Sequence, residues 1–182
     1  MKYIHRSLFF ISILISIYAC EKDDICVDGD TPLLVIRFYD AENPTEFKVV
    51  PSLRVTSINS AGNDTIVNLT PTLDRNVENE PFVDRSSIDS IAIPLKTTDT
   101  ETSFSFIMDS AGDMDADTGN LDLITFTYSN EDQFISRACG FVAIYNNLAN
   151  NFPDVPENWI SRIEIDTILV ENTNQAHVKI FH

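Results

Sequence analysis

The chain has 182 residues, of which 43% are hydrophobic and 22% charged, and 28 acidic side chains outnumber 12 basic ones. The formal net charge of −16 repels nucleic-acid phosphates and anionic lipid head groups, and no cluster of Lys and Arg offsets it. Nucleic-acid binding is therefore excluded, and the length suits a single domain with one core.

The first residues follow the plan of a secretory signal. A cationic start at Lys2 and Arg6 precedes an apolar run from Leu8 to Ala19. This run is shorter than the ~20 residues that a membrane-spanning helix needs. Residues 1–19 are therefore predicted to be a removable export signal. Their loss would bring the net charge to −18, because they contain two basic residues and no acidic ones.

The apolar run ends at a cysteine. Ile17–Cys20 resembles a bacterial lipobox, although Tyr18 is larger than the residue usually found there. In a lipobox the cysteine is acylated and becomes the first mature residue, and two or three acyl chains anchor a protein stably. Glu21–Asp24 resembles the acidic export tag of Bacteroidetes surface lipoproteins. We predict lipidation at Cys20 and an outer-membrane, cell-surface location; an ordinary cleaved secretory signal is the alternative.

Two further cysteines, Cys26 and Cys139, follow the predicted signal. An even pair in an oxidising envelope predicts a disulfide, with two buried free thiols as the alternative. A redox or metal role is disfavoured because the two cysteines are far apart and lack neighbouring histidines.

After a predicted tether at residues 20–32, residues 33–182 have the pattern of a single β domain. Short apolar or alternating segments recur between turn residues, and no convincing helical period is present. The predicted strands are Leu33–Tyr39, Glu46–Ile58, Asp64–Leu69, Ser87–Leu95, Thr102–Asp109, Leu121–Ser129, Gln133–Ala138, Phe141–Tyr145, Ile160–Val170 and Ala176–Phe181. Pro51 predicts a bulge or a sheet edge. We predict an antiparallel β-sandwich of about nine or ten short strands, with a β-barrel as the alternative.

An acidic loop contains the one pattern that suggests a metal. Asp113, Asp115 and Asp117 alternate as in calcium loops, where oxygen ligands recur at every second residue. Thr118 stands where such loops have glycine, and Ile124 occupies the twelfth position instead of glutamate. The alternative is a solvated acidic hairpin loop. Any calcium would bind with a Kd of ~10⁻⁴–10⁻³ M, and no other cofactor is predicted.

Catalytic patterns are scarce. Only His177 and His182 follow the predicted signal, and the alternation of His177 with Val178 predicts that its side chain faces solvent. The chain lacks G-x-S-x-G, H-E-x-x-H and phosphate-loop motifs. We predict that it is not an enzyme; a hydrolase with paired carboxylates is the least favoured alternative.

A binding function is favoured over catalysis. Tyr145, Phe152 and Trp159 lie in or beside an asparagine-rich connection predicted at residues 146–159. These aromatic residues are the candidates for ligand binding, and an exposed aromatic platform near Trp159 would indicate a glycan-binding module.

Several segments carry a family resemblance. Ile135–Phe141 contains Arg-Ala-Cys-Gly, and with Cys26, Leu33–Asp40 and Asn146–Leu148 it resembles a family of uncharacterised Bacteroidetes lipoproteins. The resemblance implies a small β-rich envelope lipoprotein without an assigned activity, whose genes often neighbour one for an outer-membrane β-barrel. The predicted function is therefore that of a binding or structural accessory subunit of an outer-membrane protein.

Overall fold

The computed structural model describes Cys26 and residues 30–58, 64–66, 85–112, 116–153 and 155–182. The predicted signal and Cys20 lie outside these ranges. The described residues form ten strands and no α-helix. The strands are β1 (Leu34–Tyr39), β2 (Val50–Ile58), β3 (Asp64–Ile66), β4 (Ser86–Ile88), β5 (Ser90–Ile93), β6 (Glu101–Met108), β7 (Asn120–Ser136), β8 (Gly140–Asn151), β9 (Arg162–Ile165) and β10 (Val178–Phe181).

The chain divides into two compact units. The larger unit comprises residues 30–133 and 142–182, and the smaller comprises residues 1–29 and 134–141. Within the smaller unit the structure describes Cys26 and residues 134–141.

Two sheets form the larger unit. The small sheet has the strand order β5-β1-β10-β9, and the large sheet has the order β3-β2-β6-β7-β8, with β4 also pairing with β2. Both sheets contribute side chains to a single hydrophobic core, among them Phe38 and Ile180 from the small sheet and Phe106 and Phe126 from the large one. Two sheets that enclose one core form a sandwich, so the predicted fold is confirmed.

The alternation of the sequence explains which side chains are buried. In β1, Leu34, Ile36 and Phe38 are fully buried while Arg37 between them is exposed. Strands β6 and β7 pair antiparallel, with Phe104 opposite Ile124. These rows of side chains at every second residue are the inner faces of the two sheets.

One pair of neighbouring strands departs from the predicted antiparallel arrangement. Strand β1 pairs antiparallel with β5 but parallel with β10, where Ile36 lies opposite Val178. Strand β10 also pairs antiparallel with β9, and the two strands form a hairpin. The hairpin therefore joins the sheet beside β1 in the parallel sense.

The single strand predicted at Ser87–Leu95 is wrong. The structure has β4 and β5 there, separated at Asp89, and the two strands belong to different sheets. The backbone oxygen of Asp89 accepts a hydrogen bond from the Phe38 amide, 2.9 Å away. The chain thus crosses from one sheet to the other at this residue. The β-branched residues Ile88, Ile91 and Ile93 occur on both sides of the crossing, so the sequence reads as one strand.

Two irregular positions lie within strands. The predicted bulge at Pro51 is confirmed by a shift of register between Val50 and Leu53, where Ser52 has φ of 43°. The connection predicted at residues 146–159 is wrong for its first six residues, because β8 continues to Asn151. Asn147 adopts φ of 57°, which asparagine tolerates better than most residues, so an asparagine-rich segment can remain in a strand.

Candidate functional site

A disulfide links two cysteines that both belong to the smaller unit. Cys26 and Cys139 are bonded, with their Cα atoms 4.9 Å apart at a sequence separation of 113. The predicted disulfide is therefore confirmed. The bond ties the segment that follows the predicted anchor to the turn between β7 and β8.

This turn is tight. Gly140 has φ of +72°, a conformation that glycine adopts without steric cost, and β8 starts at this residue. The Cys139 amide donates a hydrogen bond to Ser136 Oγ, 3.0 Å away, across the turn. These contacts bring the end of β7 and the start of β8 together, and we call residues 134–141 the hairpin tip.

The hairpin tip exposes apolar side chains. Phe134, Ile135 and Phe141 are 56%, 37% and 67% exposed, and the two phenylalanine rings contact each other with centroids 5.3 Å apart. Arg137 and Ala138 between them are also exposed. Clustered exposed apolar side chains mark an interaction surface more often than isolated ones do. The hairpin tip is therefore the candidate functional site.

The sequence contains a signal for this surface that the predictions did not use. Phe134 and Ile135 are adjacent in a strand, and adjacent strand residues point to opposite faces. A single buried face can therefore accept only one of them. The run of polar residues from Ser129 to Gln133 before them also interrupts the alternation that marks the core half of β7.

Asp117 is the one described member of the predicted calcium triad, since Asp113 and Asp115 lie outside the described residues. Its Oδ2 accepts hydrogen bonds from Arg54 Nη1 at 2.5 Å and from Ser110 Oγ at 2.6 Å. Its Oδ1 accepts from the amides of Ala111 and Gly119, at 3.0 and 2.9 Å. Both carboxylate oxygens are thus already engaged by donors within the protein.

The environment of Asp117 favours its charged form. Burial raises the pKa of this carboxyl, but hydrogen bonds from Ser110, Gly119 and Ala111 and the charge of Arg54 together hold the pKa below its ordinary value of 3.8. Among the described residues no group of three or more His, Cys, Asp or Glu side chains is arranged to hold a metal. Calcium binding by the acidic loop stays a prediction, and the observed role of Asp117 is to pair with Arg54.

The predicted exposed platform near Trp159 is wrong. Trp159 is 8% exposed and Tyr145 is fully buried, and Phe152 packs against the same core. Trp159 Nε1 donates to the Phe106 oxygen at 3.2 Å, and the Tyr145 hydroxyl donates to the Leu95 oxygen at 3.0 Å. Since each polar end has a backbone partner, these rings can lie inside the sandwich.

Asp122 is a buried carboxylate that the predictions did not single out. It occupies the inward row of β7 with Ile124, and its Oδ2 accepts a hydrogen bond from the Ile160 amide at 2.9 Å. Burial raises the pKa of Asp122, while the Ile160 and Trp159 backbones oppose the rise. Its observed partners are backbone groups, so its evident role is to position the segment before β9.

The prediction that His177 faces solvent is wrong, because its side chain is fully buried. Its backbone amide donates to the Val35 oxygen at 2.8 Å, and its Nδ1 accepts from the Val35 amide at 3.0 Å. The ring therefore turns back onto the backbone of β1 instead of following the outward row of β10. Because Nδ1 accepts a hydrogen bond, the neutral ring carries its proton on Nε2.

His177 and His182 together predict a loss of stability at mildly acidic pH. Burial lowers the pKa of both His177 and His182 below the ordinary 6.5, so the folded state favours neutral rings. Their contribution is complete above about pH 6.5 and is lost as the pH falls through 6.5 towards the lowered pKa values. We expect the free energy of unfolding to fall by at most about 1.4 kcal/mol per pH unit for each histidine.

The measurement is chemical unfolding of the wild-type protein and of His177→Asn between pH 5 and 7.5. Asparagine keeps an acceptor in place of Nδ1 but does not titrate. The free energy of unfolding of the variant should therefore fall less steeply as the pH is lowered, and the fall that remains should come from His182. Equal slopes in the two proteins would contradict the assignment to His177.

A family model described as a family of unknown function, DUF6452, matches residues 52–182, which is most of the chain. The chain belongs to the DUF6452 family. The matched range begins within β2 and includes β3 to β10, the hairpin tip and Cys139, whereas β1 and Cys26 precede it.

No curated protein and no solved structure gives a significant match to this DUF6452 chain. Within the described ranges, no helix is both long and apolar enough to cross a membrane.

Proposed function

We propose that this DUF6452 protein is a lipid-anchored protein of the bacterial cell envelope that acts as a binding or structural accessory subunit of an outer-membrane protein. The Cys26–Cys139 disulfide is the observation that carries the proposal. Disulfides persist in oxidising compartments and are rare in the reducing cytosol, so the bond favours an exported protein. Residues 1–19, which have the plan of an export signal, provide an independent argument for the same location.

The lipid anchor at Cys20 explains why a small β-sandwich would stay at the membrane. The lipobox-like Ile17–Cys20 supplies the acylation site, and Glu21–Asp24 resembles the tag that directs Bacteroidetes lipoproteins to the cell surface. The exposed apolar hairpin tip supports contact with another apolar surface, because clustered exposed apolar side chains mark interaction surfaces. The described carboxylates Asp117 and Asp122 serve structural contacts, which favours binding over hydrolysis.

The first test is the anchor itself. Replacing Cys20 with alanine removes the only sulfur that can be acylated at that position, so we expect the variant to leave the membrane fraction. Intact-mass measurement of the purified wild-type protein should show a chain that begins at Cys20 with two or three acyl groups.

Tyr18→Ala is the matched control, because it brings the lipobox closer to the usual pattern and should retain the acyl groups. Wild-type protein that lacks acyl chains would contradict the proposal. Given the anchor, crosslinking in intact cells followed by purification should recover an outer-membrane partner with the wild-type protein and not with Cys20→Ala.

A further inference from the structure

The hairpin tip combines exposed apolar groups with a covalent link to the N-terminal segment. Phe134, Ile135 and Phe141 are each more than a third exposed. Cys139 lies two residues before Phe141 and is bonded to Cys26. The exposed surface and the segment that follows the predicted anchor therefore belong to one compact unit.

Chain length limits how far the hairpin tip can lie from the anchor. Cys26 lies six positions after Cys20, and a fully extended chain spans at most ~3.3–3.6 Å per residue, or about 20–22 Å in total. The disulfide adds 4.9 Å between the Cα atoms of Cys26 and Cys139. An acylated Cys20 thus keeps the hairpin tip within about 27 Å of the lipid, less than the ~30 Å that crosses the hydrocarbon core.

The hairpin tip could contact either lipid or a protein partner. A stable protein interface usually buries about 800 Å² on each side, formed by 20–30 residues. Three exposed apolar side chains on an eight-residue hairpin tip are far fewer than that. Interfacial insertion of a few aromatic and aliphatic groups requires no such area, because the acyl anchor already holds the protein at the membrane.

We propose that the hairpin tip inserts Phe134, Ile135 and Phe141 into the interfacial region of the leaflet that holds the Cys20 acyl chains. This inference rests on the proposed anchor. Arg137, which is exposed among these residues, is placed to contact a lipid phosphate. The strongly negative remainder of the chain is repelled by anionic lipid, so the lipid class is zwitterionic phospholipid.

The test measures tryptophan fluorescence, in which the chain's single native tryptophan gives a constant background signal. Trp159 is buried in the core, so a tryptophan introduced at an exposed position reports its own surroundings. Phe141→Trp is placed at the hairpin tip, and Phe47→Trp is the matched control, because Phe47 is 52% exposed and belongs to the larger unit. The mature acylated proteins are reconstituted into phosphatidylcholine vesicles with and without brominated acyl chains.

We expect the tryptophan of Phe141→Trp to emit at shorter wavelength when the acylated protein is in vesicles. The reference sample is the same variant in detergent-free buffer, after its lipidated N-terminus has been removed enzymatically. Brominated chains should quench this tryptophan, whereas Phe47→Trp should keep its emission. No quenching at position 141, or equal quenching at both positions, overturns the inference while the anchor stands. Absence of acyl chains by mass measurement overturns the anchor and, with it, the insertion of the hairpin tip.

Discussion

Replacing Asp117 with alanine is expected to lower the free energy of unfolding by up to about 3–5 kcal/mol, because it removes a counter-charge from a buried arginine. Arg54 is fully buried, and its Nη1 lies 2.5 Å from Asp117 Oδ2. Arg54 Nη2 donates to the Gly112 oxygen at 2.9 Å, which satisfies a hydrogen bond but does not neutralise the charge. For a chain of this length the change corresponds to a fall in Tm of about 10 °C.

Urea unfolding of the single and double variants measures this effect. Arg54→Met combined with Asp117→Ala removes both charges and should be less destabilised than Asp117→Ala alone. Glu164→Gln is the control, because its ion pair with Arg162 is half exposed and should contribute at most about 1 kcal/mol. A loss below 1 kcal/mol for Asp117→Ala would refute the structural role assigned to the pair.

The same pair distinguishes the two interpretations of the acidic loop. If Asp117 serves mainly as a counter-charge, its removal destabilises the protein equally with and without calcium. The lowered pKa of Asp117 adds a dependence on pH, since its contribution is present above 3.8 and is lost as the pH falls through the lower folded value. The decline due to the histidines occurs at higher pH, so the two effects separate in a titration.

Breaking the Cys26–Cys139 bond is the second large change, with an expected loss of about 2–5 kcal/mol. The bond closes a loop of 113 residues, and a longer closed loop restricts the unfolded chain more strongly. The measurement compares unfolding of the oxidised protein with that of the same protein after reduction. The expected result is a lower midpoint after reduction, with the reduced thiols counted by alkylation and mass.

Cys26→Ser with Cys139→Ser is the matched control for that comparison. The double variant should resemble the reduced wild-type protein and should not respond to reductant. Unchanged stability in a wild-type sample whose thiols are demonstrably reduced would show that the bond does not restrict the unfolded chain.

Much of the sandwich could be predicted because its inner faces follow a simple alternation. Phe104 and Phe106 in β6, and Ile124 and Phe126 in β7, occupy every second position and are buried. Apolar periodicity reports which face of a strand is buried, and that information is local in the sequence. The disulfide could also be predicted from the sequence, because only two cysteines follow the predicted anchor.

Features that depend on distant partners could not be predicted in the same way. The burial of His177 follows from two hydrogen bonds with Val35, 142 residues away in sequence. The burial of Trp159 depends on an acceptor at Phe106, which lies in β6. The change of sheet at Asp89 likewise depends on distant partners, because β4 before it pairs with β2 and β5 after it pairs with β1. Sequence patterns identify apolar faces but do not specify the polar partners that permit burial.

The parallel pairing of β1 and β10 has a consequence for the order of folding. Strand β10 lies between β1 and β9, so the small sheet is complete only when residues from both ends of the domain have met. Contacts between residues so distant in sequence close late and slow folding. A chain that emerges from a ribosome or an export channel with its N-terminus first would therefore keep Leu34, Ile36 and Phe38 partly uncovered until Val178–Phe181 arrive. Shortening the chain before Val178 should leave a soluble, protease-sensitive intermediate or an aggregate instead of a smaller native domain.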